Sequence, residues 1–106
     1  MIAKTPSPPY YAVIFSSLQT ESIGGYTEAA ELLEALAKNI EGYLGIESAR
    51  NHLGITVSYW NNLEAIKQWK EDAVHLVAQK KGKEEWYKAY QIRIAKVERD
   101  YCFDKP

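Results

Sequence analysis

The residues with the clearest chemical use lie between Gly54 and Arg99, in GITVSYWNNLEAIKQWKEDAVHLVAQKKGKEEWYKAYQIRIAKVER. All three tryptophans, Trp60, Trp69 and Trp86, fall in this run together with His75. An indole is a large flat surface that can wall a planar ligand, and it carries an N–H for a ligand oxygen. An unperturbed imidazole titrates at about pH 6.5, so His75 is suited to take a proton from an acidic phenol or carbon acid near neutrality. Each residue also has a plainer use. Trp69 lies on the apolar stripe of a helix and Trp60 closes a strand, where core packing serves equally. His75 falls on the helical wheel with Gln68, Asp72 and Gln79, away from the centre of the Trp69 stripe, which suits an exposed histidine. Trp86 and Tyr87 stand just before the last strand, where they would cover a pocket mouth or seal a subunit contact.

Other chemistries find no support. There is no G-x-x-x-x-G-K-[ST] phosphate loop, no G-x-G-x-x-G after a strand and no G-x-S-x-G elbow. His52, His75 and Cys102 are not spaced as a zinc site, so no metal is assigned. The 13 Lys+Arg and 14 Asp+Glu leave a formal charge of -1 and are interspersed, which argues against a nucleic-acid partner. Lys80, Lys81, Lys83 and Lys88 form a small basic cluster, interrupted by Glu84 and Glu85, that a solvated helix end explains. Cys102 is the sole cysteine, so no intrachain disulfide forms. No stretch approaches the roughly eighteen apolar residues of a membrane span, and MIAKTPSPPY lacks the core of a signal peptide. A cytoplasmic location is the default expectation.

The 106 residues suit one domain. Pro6, Pro8 and Pro9 make residues 1–9 a flexible arm without chemistry, leaving 10–106 as the domain. YYAVIFSSL from Tyr10 reads as a strand, being rich in aromatic and β-branched residues. After Gly24 and Gly25 comes an amphipathic helix with Ala29, Leu33, Leu36 and Ile40 on one side, ended by Gly42. Tyr43–His52 and ITVSYW after Gly54 read as an antiparallel hairpin. Asn61 or Asn62 then caps a second helix, Glu64 completing a capping box with Asn61, and Gly82 marks its end. Its core stripe is Leu63, Ile66, Trp69, Ala73 and Val77. AYQIRIAKVERDYCF reads as a long final strand.

The order β-α-β-β-α-β, with one-sided helices, predicts an α+β, ferredoxin-like fold with both helices on one face of an antiparallel sheet. The other face carries Ala12, Ile14, Val57, Ala95 and Val97, too apolar for water, so a homodimer built sheet to sheet is expected.

With these elements in place, GYLGIESAR, GITVSYWNNLEAIKQW, the H-x-x-A-Q-x-x-G-x-x-x-WY run and the terminal strand ending VER resemble the antibiotic biosynthesis monooxygenase family. The likeness covers roughly residues 10 to 103. It implies a dimeric α+β barrel with a pocket between sheet and helices. Branches of that family include cofactor-free quinone-forming oxygenases, haem-degrading oxygenases and proteins that process signal molecules, and a fold does not choose among them.

In haem-degrading relatives the helix tryptophan is followed about ten residues later by a ligating histidine, and strand one carries an asparagine. Here the position ten after Trp69 is Gln79, and YYAVIFSSL has no asparagine, so that route is disfavoured and no cofactor is expected. In the cofactor-free branch the enzyme helps deprotonate a phenol, and the carbanion reduces molecular oxygen. The resemblance then implies that Trp69 and Tyr59, with Trp60 and Trp86, wall the substrate. Asn62 and Arg93 would donate to its oxygens, and His75 would move the proton. Asn62 serves equally as a helix cap, and Arg93 as an ion-pair partner of Glu47 or Glu98.

Two functions remain open: a cofactor-free monooxygenase acting on a small aromatic, or a non-catalytic, stress-related or small-molecule-binding protein of the same fold. An open cleft edged by His75 would fit the first. Solid packing of Trp60 on Trp69, with His75 outside any cleft, would sink an oxygenase built on those residues and fit the second.

Overall fold

The computed structural model describes residues 2–79 and 85–106. The elements are β1 (Tyr10–Gln19), α1 (Tyr26–Lys38), β2 (Tyr43–Arg50), β3 (Gly54–Trp60), α2 (Leu63–Gln79) and β4 (Tyr87–Val97). This is the expected β-α-β-β-α-β order. The four strands form one antiparallel sheet in the order β2-β3-β1-β4, so β2 and β4 are its edges. The expected end of the second helix at Gly82 and most of the basic cluster, Lys80, Lys81 and Lys83 with Glu84, lie outside the described residues.

Register assigns the faces. Val13 belongs to the core under the helices with Ala37, Ile40, Trp60, Ala65 and Ile66. Val13 pairs with Ser58 and with Ile94, and Tyr11 pairs with Trp60, so alternation places Phe15, Ser17, Tyr90 and Ile92 on that side as well. The opposite face, open in having neither helix over it, takes Tyr10, Ala12, Ile14, Val57, Tyr59, Arg93, Ala95 and Val97, including every residue read as too apolar for water, although Tyr10 and Ala12 are already buried within the chain. Helix cover is uneven along the sheet. On the helix side of edge strand β4, Tyr90, Ile92 and Ile94 remain 41%, 47% and 51% exposed.

Two boundaries and one burial assignment differ from the sequence reading. The first helix stops at Asn39, whose N–H bonds to the Leu36 carbonyl at 3.2 Å, so Ile40 enters the core from the turn. Gly42 then turns the chain with φ +105°, which an L side chain rarely adopts, and a Cβ there would come within 3.0 Å of the Ala65 Cβ. Leu63 is exposed, not on the stripe. The buried residues of α2 centre on Ala65, Ile66 and Trp69, and the first helical position lies roughly 110° round the wheel from them. β4 ends at Val97, and residues 98–106 form no strand.

Those C-terminal residues meet the N-terminal segment on the open face. Tyr10 donates its hydroxyl to Asp100 Oδ2 at 2.6 Å and accepts from Thr5 at 3.1 Å, while the Ala3 N–H donates to Glu47 Oε2 at 2.9 Å. Residues 2–9 have neither helix nor strand, as their prolines dictate, yet they are anchored by side chains that periodicity does not register.

Candidate functional site

The tryptophans are structural in their hydrogen bonding. Trp60 is wholly buried, its indole donating to Ser58 Oγ at 2.9 Å, with Tyr43 and Trp69 against its ring at 5.3 and 5.6 Å between centroids. Trp69, half-buried, donates to the Leu33 carbonyl at 3.3 Å, and Trp86 donates to the Gly24 carbonyl at 2.9 Å with Tyr26 edge-on to its ring. All three N–H groups expected to face a ligand oxygen are therefore used inside the protein.

The other expected site residues do not converge in the single chain. Tyr59 and Arg93 lie on the open face, across the sheet from Trp60 and Trp69. Tyr59 donates to Glu47 Oε1 at 2.7 Å, and burial, then Glu47, pushes its phenol up to about 12. Arg93 stands on β4 and Glu47 on β2, edge strands about 14 Å apart at ordinary strand spacing, so an Arg93–Glu47 pair does not form across the sheet within one chain. His75 is exposed, roughly 125° round α2 from the buried stripe. Asn62 borders an open polar groove of about 490 Å³ with Glu41, Asn61, Glu64 and Gln68, which no other expected site residue lines.

Asn62, and not Asn61, caps α2: its Oδ1 accepts from the Ala65 N–H at 2.8 Å. Asn62→Ala is expected to cost about 1 kcal/mol in urea unfolding. An unchanged midpoint would show that the cap contributes nothing.

A different group of residues gathers at one end of the helix-covered face. Phe15, Tyr87 and Tyr90 contact one another with centroids 5.5 to 5.8 Å apart, and Tyr26 meets Tyr87 at 6.1 Å. Trp86 backs Tyr26, and the Thr20 N–H bonds to the Trp86 carbonyl at 2.8 Å, fastening the start of β4 to the end of β1. Arg50 reaches in from β2: one guanidinium nitrogen bonds Ser17 Oγ and another the Ser17 carbonyl at 3.5 Å. Its path crosses Gly54, where any Cβ would collide with the guanidinium. Burial, then the Tyr26 hydroxyl, pushes the Tyr87 phenol above the ordinary tyrosine range, so it is a proton donor at neutral pH.

Among the described residues no group of three or more His, Cys, Asp or Glu is placed to hold a metal, and no helix is long and apolar enough to cross a membrane. No family model matches the chain. It is 47% identical over 106 residues to the uncharacterized protein YqjZ of Bacillus subtilis, covering 98% of this chain and 93% of that one. The chain belongs to the YqjZ family, with the antibiotic biosynthesis monooxygenase fold. The fold is shared with SnoaB, a cofactor-independent oxygenase from Streptomyces nogalater, at TM-score 0.69, 6% identity and coverage of 86% of this chain and 95% of that one. A candidate antibiotic biosynthesis monooxygenase of Bordetella bronchiseptica matches at TM-score 0.63 and 14% identity, covering 83% and 96%. The jasmonate monooxygenase of Pyricularia oryzae is 29% identical over 94 residues, which span 82% of this chain but 43% of that protein.

For this YqjZ-family chain the three tryptophans are the conspicuous signal in the sequence, being rare and confined to one run. The eight tyrosines held the missed signal. Tyr26, Tyr87 and Tyr90 come from a loop end and a strand start that only the sheet register brings beside Phe15 and Arg50.

Proposed function

We propose that this chain is a monooxygenase that oxidises a small phenol- or quinol-like aromatic with molecular oxygen and no added cofactor. The observation that supports it is the cluster of Phe15, Tyr26, Tyr87 and Tyr90 beside the Arg50 guanidinium, on the helix-covered face of a fold shared with SnoaB. The substrate would lie along the exposed helix-side residues of β4, with Trp69 as a wall above the sheet. Loss of a proton to solvent water from the ring CH₂ of the phenol's keto tautomer gives a carbanion that passes one electron to oxygen. Recombination forms a peroxide, and loss of water leaves a carbonyl, so one CH₂ and one O₂ become C=O and H₂O. The chain supplies aromatic surface and fixed donors where negative charge develops on oxygen. Asn62 holds the start of α2, Trp60 and Trp86 support the walls from beneath, and Tyr59 and Arg93 stand on the open face. That face's apolar residues support a sheet-to-sheet homodimer.

The test is oxygen uptake by metal-stripped protein against anthrones, naphthols and quinols. Uptake requiring folded protein is expected. His75→Ala should leave the rate within about twofold, because the imidazole points to solvent; loss of a general base costs about 10²- to 10⁴-fold, and a fall of that size would restore His75 as the base. A second reading, a small-molecule-binding protein without catalysis, is favoured by the internally bonded indoles and exposed His75. No uptake across the whole panel would select it.

A further inference from the structure

We propose that Arg50 is an anion seat, and that the ligand of the tyrosine cluster is a planar aromatic carrying a carboxylate. The inference deepens the reading above by naming a substrate class for the same site. Ser17 pairs with Gly54 on β3 and with Tyr90 on β4, so a guanidinium bonded to Ser17 sits about one strand spacing, near 5 Å, from the Tyr90 backbone. Both recorded hydrogen bonds of Arg50 go to neutral oxygens of one residue. A guanidinium has five N–H donors in a rigid fork, so among the described residues about three are uncommitted, in the geometry that suits the two oxygens of a carboxylate. The residue is exposed, so a ligand can reach it.

The surroundings select the rest of the ligand. Phe15, Tyr87 and Tyr90 offer ring faces and edges within a few ångströms of one another, and Tyr90 and Ile92 leave an apolar approach along β4. The Tyr87 hydroxyl keeps its proton and can donate to an anion. Gly54 is the enabling residue: β2 and β3 pair Arg50 with Gly54, and only a position without Cβ lets the side chain cross to β1.

The test is calorimetric titration of the full chain with 2-naphthoate and with its methyl ester at pH 7. Binding of the acid should weaken at least about tenfold in Arg50→Gln and also in Gly54→Ala, which places a methyl group where the guanidinium lies. The ester should bind wild type and Arg50→Gln alike. Equal affinity of wild type and Arg50→Gln for the acid, or no binding of the acid to wild type at millimolar concentration, would overturn the seat. If Arg50→Gln does not fold, Gly54→Ala decides by the same criterion, since only the tip of a flexible side chain must move to admit its methyl group. The two proposals fail separately. Arg50-dependent naphthoate binding without oxygen uptake removes the oxygenase and keeps the seat, whereas uptake of neutral naphthols with Arg50-independent naphthoate binding does the reverse.

Discussion

Replacing Trp60 with alanine is expected to lower stability by about 3–5 kcal/mol, a large part of the roughly 5–15 kcal/mol that a domain of this size possesses. Trp60 has no exposed surface, and three kinds of contact meet on it. Tyr43 from β2 and Trp69 from α2 pack on its ring, Ala65 and Ile66 cover it from α2, and its N–H bonds to Ser58. Truncation leaves a cavity between sheet and helix and removes the donor from a buried hydroxyl. Trp60→Phe keeps a ring there and should cost clearly less. Urea unfolding followed by far-ultraviolet dichroism measures both, and a loss below about 1 kcal/mol for the alanine variant would mean that the sheet and α2 do not close on this side chain.

Alkaline unfolding is the second large effect. Tyr59 is pushed up to about 12 by burial and Glu47, Tyr10 is raised chiefly by its bond to Asp100, and Tyr43 and Tyr87 are raised by burial. A phenol whose folded pKa lies above its unfolded value of about 10 contributes fully below pH 10 and loses that contribution as pH rises toward the folded value. Between pH 10 and 12 the unfolded chain releases protons that the folded chain keeps, so stability falls with pH. Each fully buried tyrosine would contribute a slope of up to about 1.4 kcal/mol per pH unit, less for Tyr59 and Tyr43, which water partly screens. Urea midpoints at pH 9, 10 and 11 should therefore drop more steeply above 10 than one proton can explain. Tyr59→Phe, which removes one of these phenols, should flatten the drop. A midpoint that is level to pH 11 would contradict the burial and hydrogen bonding that raise these phenols.

The architecture was legible because it rests on periodicity. The aromatic and β-branched content of YYAVIFSSL, the extended run ITVSYW, the stripe through Ile66 and Trp69, and the turns at Gly25 and Gly42 each announce themselves locally. The candidate site was not, because it depends on which strand lies beside which. Tyr59 and Trp60 are neighbours in sequence, and for that reason they point to opposite faces of the sheet, so they cannot wall one ligand within a single chain. Conversely, Ser17, the hairpin end that carries Arg50 and Gly54, and Tyr90 are far apart in the chain and adjacent only once β1 lies between β3 and β4. Hydrogen bonding held the remaining surprise. An indole is equally apolar in a core and in a pocket, and only the Ser58, Leu33 and Gly24 partners show where its N–H is spent.

Tyr10 accepts from Thr5 and donates to Asp100, residues from opposite ends of the chain. In connectivity the molecule is thus nearly a ring, closed by side chains instead of a peptide bond. Cutting the chain at the exposed Asn51–Leu53 turn of the hairpin would therefore leave the Thr5–Tyr10–Asp100 closure in place.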